Sequence, residues 1–348
     1  MSSIWKRASN WELWPFAMIY APLGLLWLYY AIRAREFWFF SNVNPTIEFS
    51  GFEGETKEEM YVQLPLHSYP KTVHIKAGTD FTEVQDRLSN AGLNYPFIAK
   101  PDRGMQGILV RKVEKQEDLL KYHNNLPVDY LIQNFVDLPM EFSVFHIRYP
   151  QQTKGIVTGF ILKEYMKVTG DGRSTLLQLI QKHPKAMVRE EEMRHRHADN
   201  LHIILPAGEK YFLSYTGNHN RGATFVNLHK QIDHSLCNVF DEISNKAGEF
   251  YYGRYDLKCT SIKDLKEGKN ISILEFNGTG SEPNHIYDCG MSYRQALQEI
   301  ARHWKCLFEI GRINRKRGIP YWSFKKGYRY LKNARKLLAE LRRYELQY

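Results

Sequence analysis

The stretch Gly253–Asn277, GRYDLKCTSIKDLKEGKNISILEFN, decides how the rest of the chain is read. Tyr252 to Lys258 alternates polar and apolar side chains, as a half-buried strand does. Ile271 to Phe276 has the composition of a second strand, and the polar loop between the two predicts a hairpin. Glu275 and Asn277 are two residues apart and therefore point to one face of their strand. With Asp256 on that face as well, two carboxylates and one amide oxygen converge. Such a hard-oxygen set suits magnesium, commonly shared with nucleotide phosphates. Arg254, two residues from Asp256, adds a planar cation where transferring phosphoryl oxygens need one. The plain alternative is an acidic strand edge facing solvent.

The 348 residues suffice for one large domain or two modest ones, and 43% hydrophobic with 14% aromatic residues exclude a disordered chain. Cys237, Cys259, Cys289 and Cys306 show no CxxC spacing and no dense framework. They suit a reducing compartment, as small buried hydrophobes. The formal charge of +10 is unevenly placed: Arg312 to Tyr348 carries twelve Lys or Arg against Glu340 and Glu345, which accounts for all of it. The basic character belongs to a C-terminal segment, 311–348, and not to the body.

Pro15 to Ile32, PFAMIYAPLGLLWLYYAI, holds no charged side chain. At about 1.5 Å per residue it reaches roughly 27 Å, just short of a hydrocarbon core of about 30 Å. Trp11, Trp14 and the run Phe37 to Phe40 flank it, as aromatic residues do at a membrane interface. No small-residue cleavage site follows, so residues 1–41 are expected to be a membrane segment rather than a signal peptide. A buried core helix is the alternative. Pro22 and Gly24 leave a re-entrant course open. Lys6 and Arg7 before the segment balance Arg33 and Arg35 after it, so charge does not orient it. Residues 42–94 read as a linker, with a short helix from Thr79 to Ala91 capped by Asp80.

In Tyr95 to Val113 a strand ends at Lys100 and a loop carries Gly104 and Gly107, which let a backbone approach phosphates while Lys100 supplies a point charge. The GxxxxGK[ST] order is absent, so this is no Walker loop, and a plain hairpin turn explains it locally. Strands are expected at Tyr130 to Val136, from Glu141, and from Gly155 to Tyr165. A helix entered through Ser174 or Thr175, beside Lys167 and Arg173, has an N-terminus able to hold an anion. Gln181 to Asn200 reads as a charged surface helix. In the polar loop Thr216 to Asn227, Arg221 with Asn218 and His219 could reach a phosphate. Two amphipathic helices, His229 to Glu249 and Ser292 to Ile310, flank the acidic hairpin.

Taken in order, Tyr95 to Asp288 resembles the ATP-grasp superfamily, in the branch of D-alanine–D-alanine ligase and the ATP-binding half of cyanophycin synthetase. Phe97 to Gly107 is similar to that family's lysine strand and glycine-rich lid, which implies Lys100 on the nucleotide phosphates beneath Gly104 and Gly107. Ile132 to Val136, with Gln133, Asn134 and Phe135, resembles the segment that meets the adenine edge, and Glu141 the residue that holds the ribose hydroxyls. GDGRSTL, Gly170 to Leu176, implies Lys167 as a further phosphate contact. The G-R-x-D and L-E-x-N pieces imply Asp256, Glu275 and Asn277 as ligands of one or two magnesium (or manganese) ions, with Arg254 on the transferred phosphoryl group.

The resemblance implies an α+β ATP-grasp fold, two subdomains clasping ATP, over residues 95–310. Its chemistry is carboxylate–amine ligation through an acyl phosphate, in which magnesium, Lys100 and Arg254 neutralise the transferring charge. The competing readings are a kinase that stops after phosphorylating its acceptor and a non-catalytic nucleotide-binding scaffold. Two departures from the pattern stand out: the family's large domain ahead of the lysine strand is shortened, and its upstream nucleotide lysine is either Lys71 or Lys76. Trp322, Phe324, Tyr328, Leu331, Leu338 and Leu341 recur at helical spacing among the C-terminal cations, so an anionic membrane surface is the expected partner of that segment, ahead of nucleic acid or of packing on the body. The expected location is the cytoplasmic membrane with the catalytic part in the cytosol. The expected substrates are ATP, a carboxylate and an amine acceptor, the latter lipid-linked or part of an envelope precursor.

Overall fold

The computed structural model describes residues 10–104 and 107–347. Lys6 and Arg7, ahead of the apolar stretch, and Met105 and Gln106, inside the glycine loop, lie outside the described residues.

The chain opens with two short apolar helices, α1 (Phe16–Tyr20) and α2 (Gly24–Ala34), joined by a 3-10 turn at Ala21–Leu23. Next come α3 (Lys57–Tyr61), β1 (Thr72–Ile75), α4 (Phe81–Asn90), β2 (Phe97–Pro101), β3 (Arg111–Val113), α5 (Gln116–Asn125) and β4 (Tyr130–Asn134). The long strands β5 (Met140–Ile147) and β6 (Ile156–Glu164) lead to a small excursion of β7 (Lys167–Thr169), α6 (Leu176–Lys182), α7 (Glu190–Arg196) and β8 (Lys210–Phe212). The chain returns through β9 (Thr224–Asn227), α8 (His234–Lys246), β10 (Tyr252–Cys259), α9 (Ile262–Lys266) and β11 (Ile271–Asn277). It finishes with α10 (Tyr293–Lys316) and α11 (Phe324–Gln347).

The helices start where the sequence supplies caps. Asp80 accepts from the Thr82 backbone, Asp233 from Leu236, and Thr175 and Ser292 each close a capping box with Gln178 and Gln295. The strands form two antiparallel sheets, a four-stranded one ordered β1-β4-β2-β3 and a five-stranded one ordered β11-β10-β5-β6-β9, besides the pair β7-β8.

Alternation gives the five-stranded sheet two chemically different faces. Phe142, Val144, Phe160, Tyr255 and Leu257 pack behind it on Leu236, Phe240 and Ile243 of α8. Glu141, Lys163, Arg254, Asp256, Lys258, Glu275 and Asn277 of β5, β6, β10 and β11 line the cleft between this sheet and the four-stranded one. That second sheet packs Phe97, Ala99 and Ile132 on Val84 and Leu88 of α4, Leu119 and Tyr122 of α5, and Leu341 of α11. A third core, rich in aromatic rings, joins Trp38, Phe39, Phe40 and Phe49 to Tyr30 of α2, Phe308 of α10 and Leu331 of α11.

Three sequence expectations change here. Residues 42–94, expected as a linker and a shortened region ahead of the lysine strand, are packed into the fold: β1 is an edge strand of the four-stranded sheet, and Asn44, fully buried, accepts from the backbone of Tyr251 and Tyr252 and donates to the Tyr252 carbonyl. The basic segment 311–348 is no free tail, since Leu331 and Leu341 of α11 are spent on two different cores. The aromatic run at Phe37 to Phe40 is mostly interior, with Trp38, Phe39 and Phe40 buried and Phe37 exposed.

Candidate active site

Between the two sheets lies a cleft of about 560 Å³. Its floor is the polar face of the five-stranded sheet. β10 and β11 pair as the predicted hairpin, with Asp256 directly opposite Glu275 and Arg254 opposite Asn277. The four residues, spaced by two and directly paired, share the cleft face, and a bulge shifts the register only beyond Asp256.

Asp256 is the most heavily engaged of them. Its carboxylate accepts from Ser143 Oγ at 2.5 Å, Arg254 Nε at 3.2 Å, Arg254 Nη2 at 3.1 Å and Asn277 Nδ2 at 3.2 Å, and Lys163 Nζ lies 3.1 Å away. Burial by itself would raise this carboxyl; the Arg254 and Lys163 cations and the Ser143 bond outweigh it and hold Asp256 well below the usual carboxylate range. Asn284 donates to Ser143 Oγ in turn, at 3.0 Å, fixing that hydroxyl from behind.

Lys163, on β6, is the residue that sequence reasoning missed most plainly. It faces Glu141 across the β5–β6 pair, and its ammonium is shared between Glu141 at 3.2 Å and Asp256 at 3.1 Å. The available signal was a lysine directly following the apolar run Gly159 to Leu162 in a strand. Glu141 also accepts from Tyr165 Oη at 2.6 Å. The loop at Gly217 approaches that carboxylate so closely that a Cβ there would displace the Glu141 side chain from its present position.

Across the cleft, Lys100 at the end of β2 is buried and donates to Tyr61 Oη at 3.0 Å and the Leu274 carbonyl at 3.3 Å. Burial brings its pKa down to about 8, against the opposing pull of Glu275 and Asp102. Gln133, Asn134, Phe135 and Val136 line the same cleft beside Ile98. Lys258 donates to the Val136 carbonyl at 3.0 Å and so ties the two sheets together there. Gly104 and Gly107 line the cleft mouth.

Every residue expected for the metal, Asp256, Glu275 and Asn277, faces the cleft, as do Arg254, Lys100 and Glu141. Two expected phosphate contacts do not. Lys167 belongs to the β7–β8 pair and its nearest acidic neighbour is Glu164, 4.0 Å away. The GDGRSTL turn it precedes folds back on itself, Asp171 accepting from Arg173 and Ser174, and leads into α6 through the Thr175 cap. Arg221 points at Glu345 of α11, 3.8 Å away, while its neighbours Asn218 and His219 reach the cleft. Neither Lys71 nor Lys76 lines the cleft; Lys76 pairs with Asp129 at 3.2 Å. Lys57 does line it, donating to the carbonyls of Asp102 and Gly104 in the glycine loop.

Two further features escaped the sequence. Gly278 and Gly280, just after β11, run against Ser50 to Phe52, with Thr279 donating to the Ser50 carbonyl at 3.0 Å and Gly280 to Gly51 at 3.1 Å. That contact brings Glu55 to the cleft wall, where its Oε2 is enclosed without a hydrogen-bond partner and burial raises its pKa to about 7. Ala334, Leu337, Leu338 and Leu341 of α11 close the cleft on the remaining side.

No family model matches the chain, and no curated protein does. Solved structures do. The proteins it resembles are ATP-grasp ligases. D-alanine–D-alanine ligase from Bacillus anthracis is 12% identical, over 76% of this chain and 69% of that one, with a TM-score of 0.42. The bifunctional glutathione synthetase from Pasteurella multocida is 15% identical, over 72% of this chain and only 36% of that one, with a TM-score of 0.41. The ADP complex of PurK, N5-carboxyaminoimidazole ribonucleotide synthetase, gives 12% identity, 74% and 52% coverage, and a TM-score of 0.42. This chain thus spans about a third and about half the length of the last two. With TM-scores below 0.5, nothing about substrate or site residues is carried across from these enzymes. What the cleft itself presents is a buried lysine on one sheet facing an Arg–Asp–Glu–Asn constellation on the other.

Proposed function

We propose that this protein is an ATP-dependent carboxylate–amine ligase that works through an acyl phosphate. The observation that carries the proposal is the register of β10 on β11, which sets Asp256 against Glu275 and Arg254 against Asn277 on one face, with Lys100 across the cleft.

The residues fit a magnesium ion. All three candidate ligands offer oxygen, Asn277 commits its NH2 to Asp256, leaving its carbonyl oxygen available, and among the described residues the Glu275 carboxylate makes no hydrogen bond or ion pair. Held by Asp256, Glu275 and Asn277, magnesium would supply charge neutralisation for the phosphates of ATP. Lys100 binds those phosphates from the opposite sheet, and Glu141, steadied by Lys163 and Tyr165, accepts from the ribose hydroxyls. Gln133 to Val136 meet the adenine. Arg254, fixed by both Asp256 oxygens and the Glu282 carbonyl, presents its remaining N–H groups to the phosphoryl group in transfer. The bond from the γ-phosphorus to ADP breaks as a carboxylate oxygen of the substrate takes its place. The amine then attacks the acyl carbon, the C–N bond forms, phosphate leaves and the amine gives up a proton. The glycine loop at Gly104 and Gly107, tethered by Lys57, shields the acyl phosphate from water.

We place the enzyme at the cytoplasmic face of a membrane, from its apolar N-terminal stretch, with an acceptor that is lipid-linked or part of an envelope precursor. The test is ADP release by the full chain against pools of carboxylates, amino acids and lipid extracts, with and without magnesium. Acceptor-dependent release that needs the metal, together with a hydroxamate on adding hydroxylamine, supports the ligase. Acceptor phosphorylation with no hydroxamate and no C–N product assigns a kinase instead, and failure to bind magnesium-ATP removes the nucleotide assignment altogether.

A further inference from the structure

A surface helix ordinarily turns its apolar stripe inward and its polar stripe to water. In the α1–α2 stretch both stripes are apolar. Ile19 (3% exposed) and Tyr30, Ala31 and Ala34 face the body, where Tyr30 stacks on Phe308 of α10 at 4.7 Å and Trp27 meets Trp304 at 5.0 Å. Leu25 (81% exposed), Leu28, Tyr29 and Ile32 (67% exposed) recur at helical spacing along the outer stripe. The stretch Phe16–Ala34 is long and apolar enough to cross a membrane by length and composition, and it is mostly uncovered, but Ile19, Tyr30, Ala31 and Ala34 hold one side of it against the body.

Both ends of the stretch are fastened to the same body. Ahead of it, Trp11 Nε1 donates to the Met291 carbonyl at 3.1 Å and Glu12 accepts from the Asp288 backbone at 3.2 Å. After it, Asn42 donates to the Gly311 carbonyl at 3.1 Å and Asn44 to that of Tyr252 at 2.8 Å. A spanning helix must leave its ends on opposite sides of a hydrocarbon core about 30 Å thick. Here the two ends stay on one side.

The apolar ridge continues onto the start of α11. Phe324 lies 5.7 Å from the ring of Phe37, with Tyr328 stacked beyond it, and all three rings are exposed. Exposed cations rim this surface: Arg33 and Arg35 at the end of α2, and Lys325, Lys326 and Arg329 on α11. A ridge of Leu, Ile, Phe and Tyr bordered by arginine and lysine matches the acyl and anionic headgroup layers of a bilayer.

We infer that the protein is monotopic, docking on an anionic bilayer with the outer stripe of α1–α2 and the Phe324–Tyr328 end of α11 lying in the plane of the interface. The inference refines the membrane setting proposed above and is independent of the ligase chemistry. Detergent-free full chain is floated with vesicles of phosphatidylcholine, with and without about one-third phosphatidylglycerol. It rises with the anionic vesicles, less as salt increases, and exchanges onto a second vesicle population. The double variant Leu25→Glu/Ile32→Glu, at two exposed positions, lowers partitioning about tenfold or more while its melting curve and magnesium-ATP binding match the parent. Bound protein that cannot exchange between vesicles has inserted a segment: that overturns in-plane docking and leaves the membrane setting in place. Absence from every vesicle fraction overturns both, and magnesium-ATP binding by the same sample reports separately on the nucleotide site. A dimer that the double variant dissolves, without flotation, assigns the face to a second copy and overturns the inference.

Discussion

Lys163 Nζ stands 3.1 Å from Asp256 and 3.2 Å from Glu141, so one buried ammonium joins the carboxylate expected at the metal to the one expected at the ribose. Removing it leaves two enclosed carboxylates without their shared cation. Lys163→Met is expected to cost about 3–5 kcal/mol in a urea melt, the range for breaking a buried pair. Lys163→Met/Asp256→Asn should lose less than the sum of the single changes. Additive losses would show that the two residues are not coupled. The acid limb follows from the same site: Asp256's folded pKa is depressed, so the stability it contributes is complete above about pH 4, its ordinary range, and fades as pH falls below that.

Among the described residues Glu275, unlike Asp256, makes no hydrogen bond or ion pair and acts on Lys100 and Arg254 only at longer range. Glu275→Gln should therefore leave the melting temperature within about a degree while reducing magnesium-dependent ADP release by at least about a hundredfold. A variant that keeps full turnover with an unchanged magnesium dependence removes Glu275 from the metal set.

Lys100, like Asp256, has a lowered pKa and so adds stability as pH rises, but here it is the charged form that burial penalises. Burial lowers its pKa to about 8, so the charged form is carried at a folding penalty below pH 8, and that penalty fades as pH rises toward the ordinary lysine value of about 10.4. Nucleotide phosphates favour the ammonium. Binding of magnesium-ATP slightly above pH 8 should then take up a proton, seen as buffer-dependent heat in titration calorimetry, and affinity should fall as pH rises further. Lys100→Met should abolish the proton uptake and weaken binding about tenfold or more. Buffer-independent heats in the parent protein would contradict this.

Gly280→Ala tests the joint between the segment before α3 and the loop after β11. A Cβ at this position overlaps the Phe52 carbonyl, so the two backbones must separate. The expected loss is about 1–3 kcal/mol, with an unchanged denaturant slope, and a matching rise in protease cleavage around Gly54. Stability equal to the parent would mean the joint is dispensable.

The sequence was most legible where local rules govern. Alternation in Tyr252 to Lys258 places Asp256 on the polar face, a spacing of two keeps Glu275 and Asn277 together, and Asp80 and Ser292 start their helices as capping chemistry requires. What stayed hidden depends on pairing across long separations. Lys163 matters only because β6 lies beside β5, and Glu55 only because Gly280 admits Phe52. Lys167 and Arg221 lie off the cleft lining, because nearness to a glycine turn in sequence is not nearness in space. The apolar spacing of Leu331, Leu338 and Leu341 was correctly read as a helix, but spacing does not say whether protein or lipid covers the stripe.

One rigid element limits how far the chemistry sits from the lipid. The exposed Phe324 belongs to the surface proposed to meet the bilayer, and Leu341, on the same uninterrupted helix, is wall of the cleft. At about 1.5 Å per residue the two are roughly 26 Å apart along α11. The helix therefore couples the two surfaces mechanically: under the proposed docking, that length is the upper limit on how far this part of the cleft wall stands from the bilayer, and a tilt of α11 at its lipid-facing end would be felt at the cleft wall.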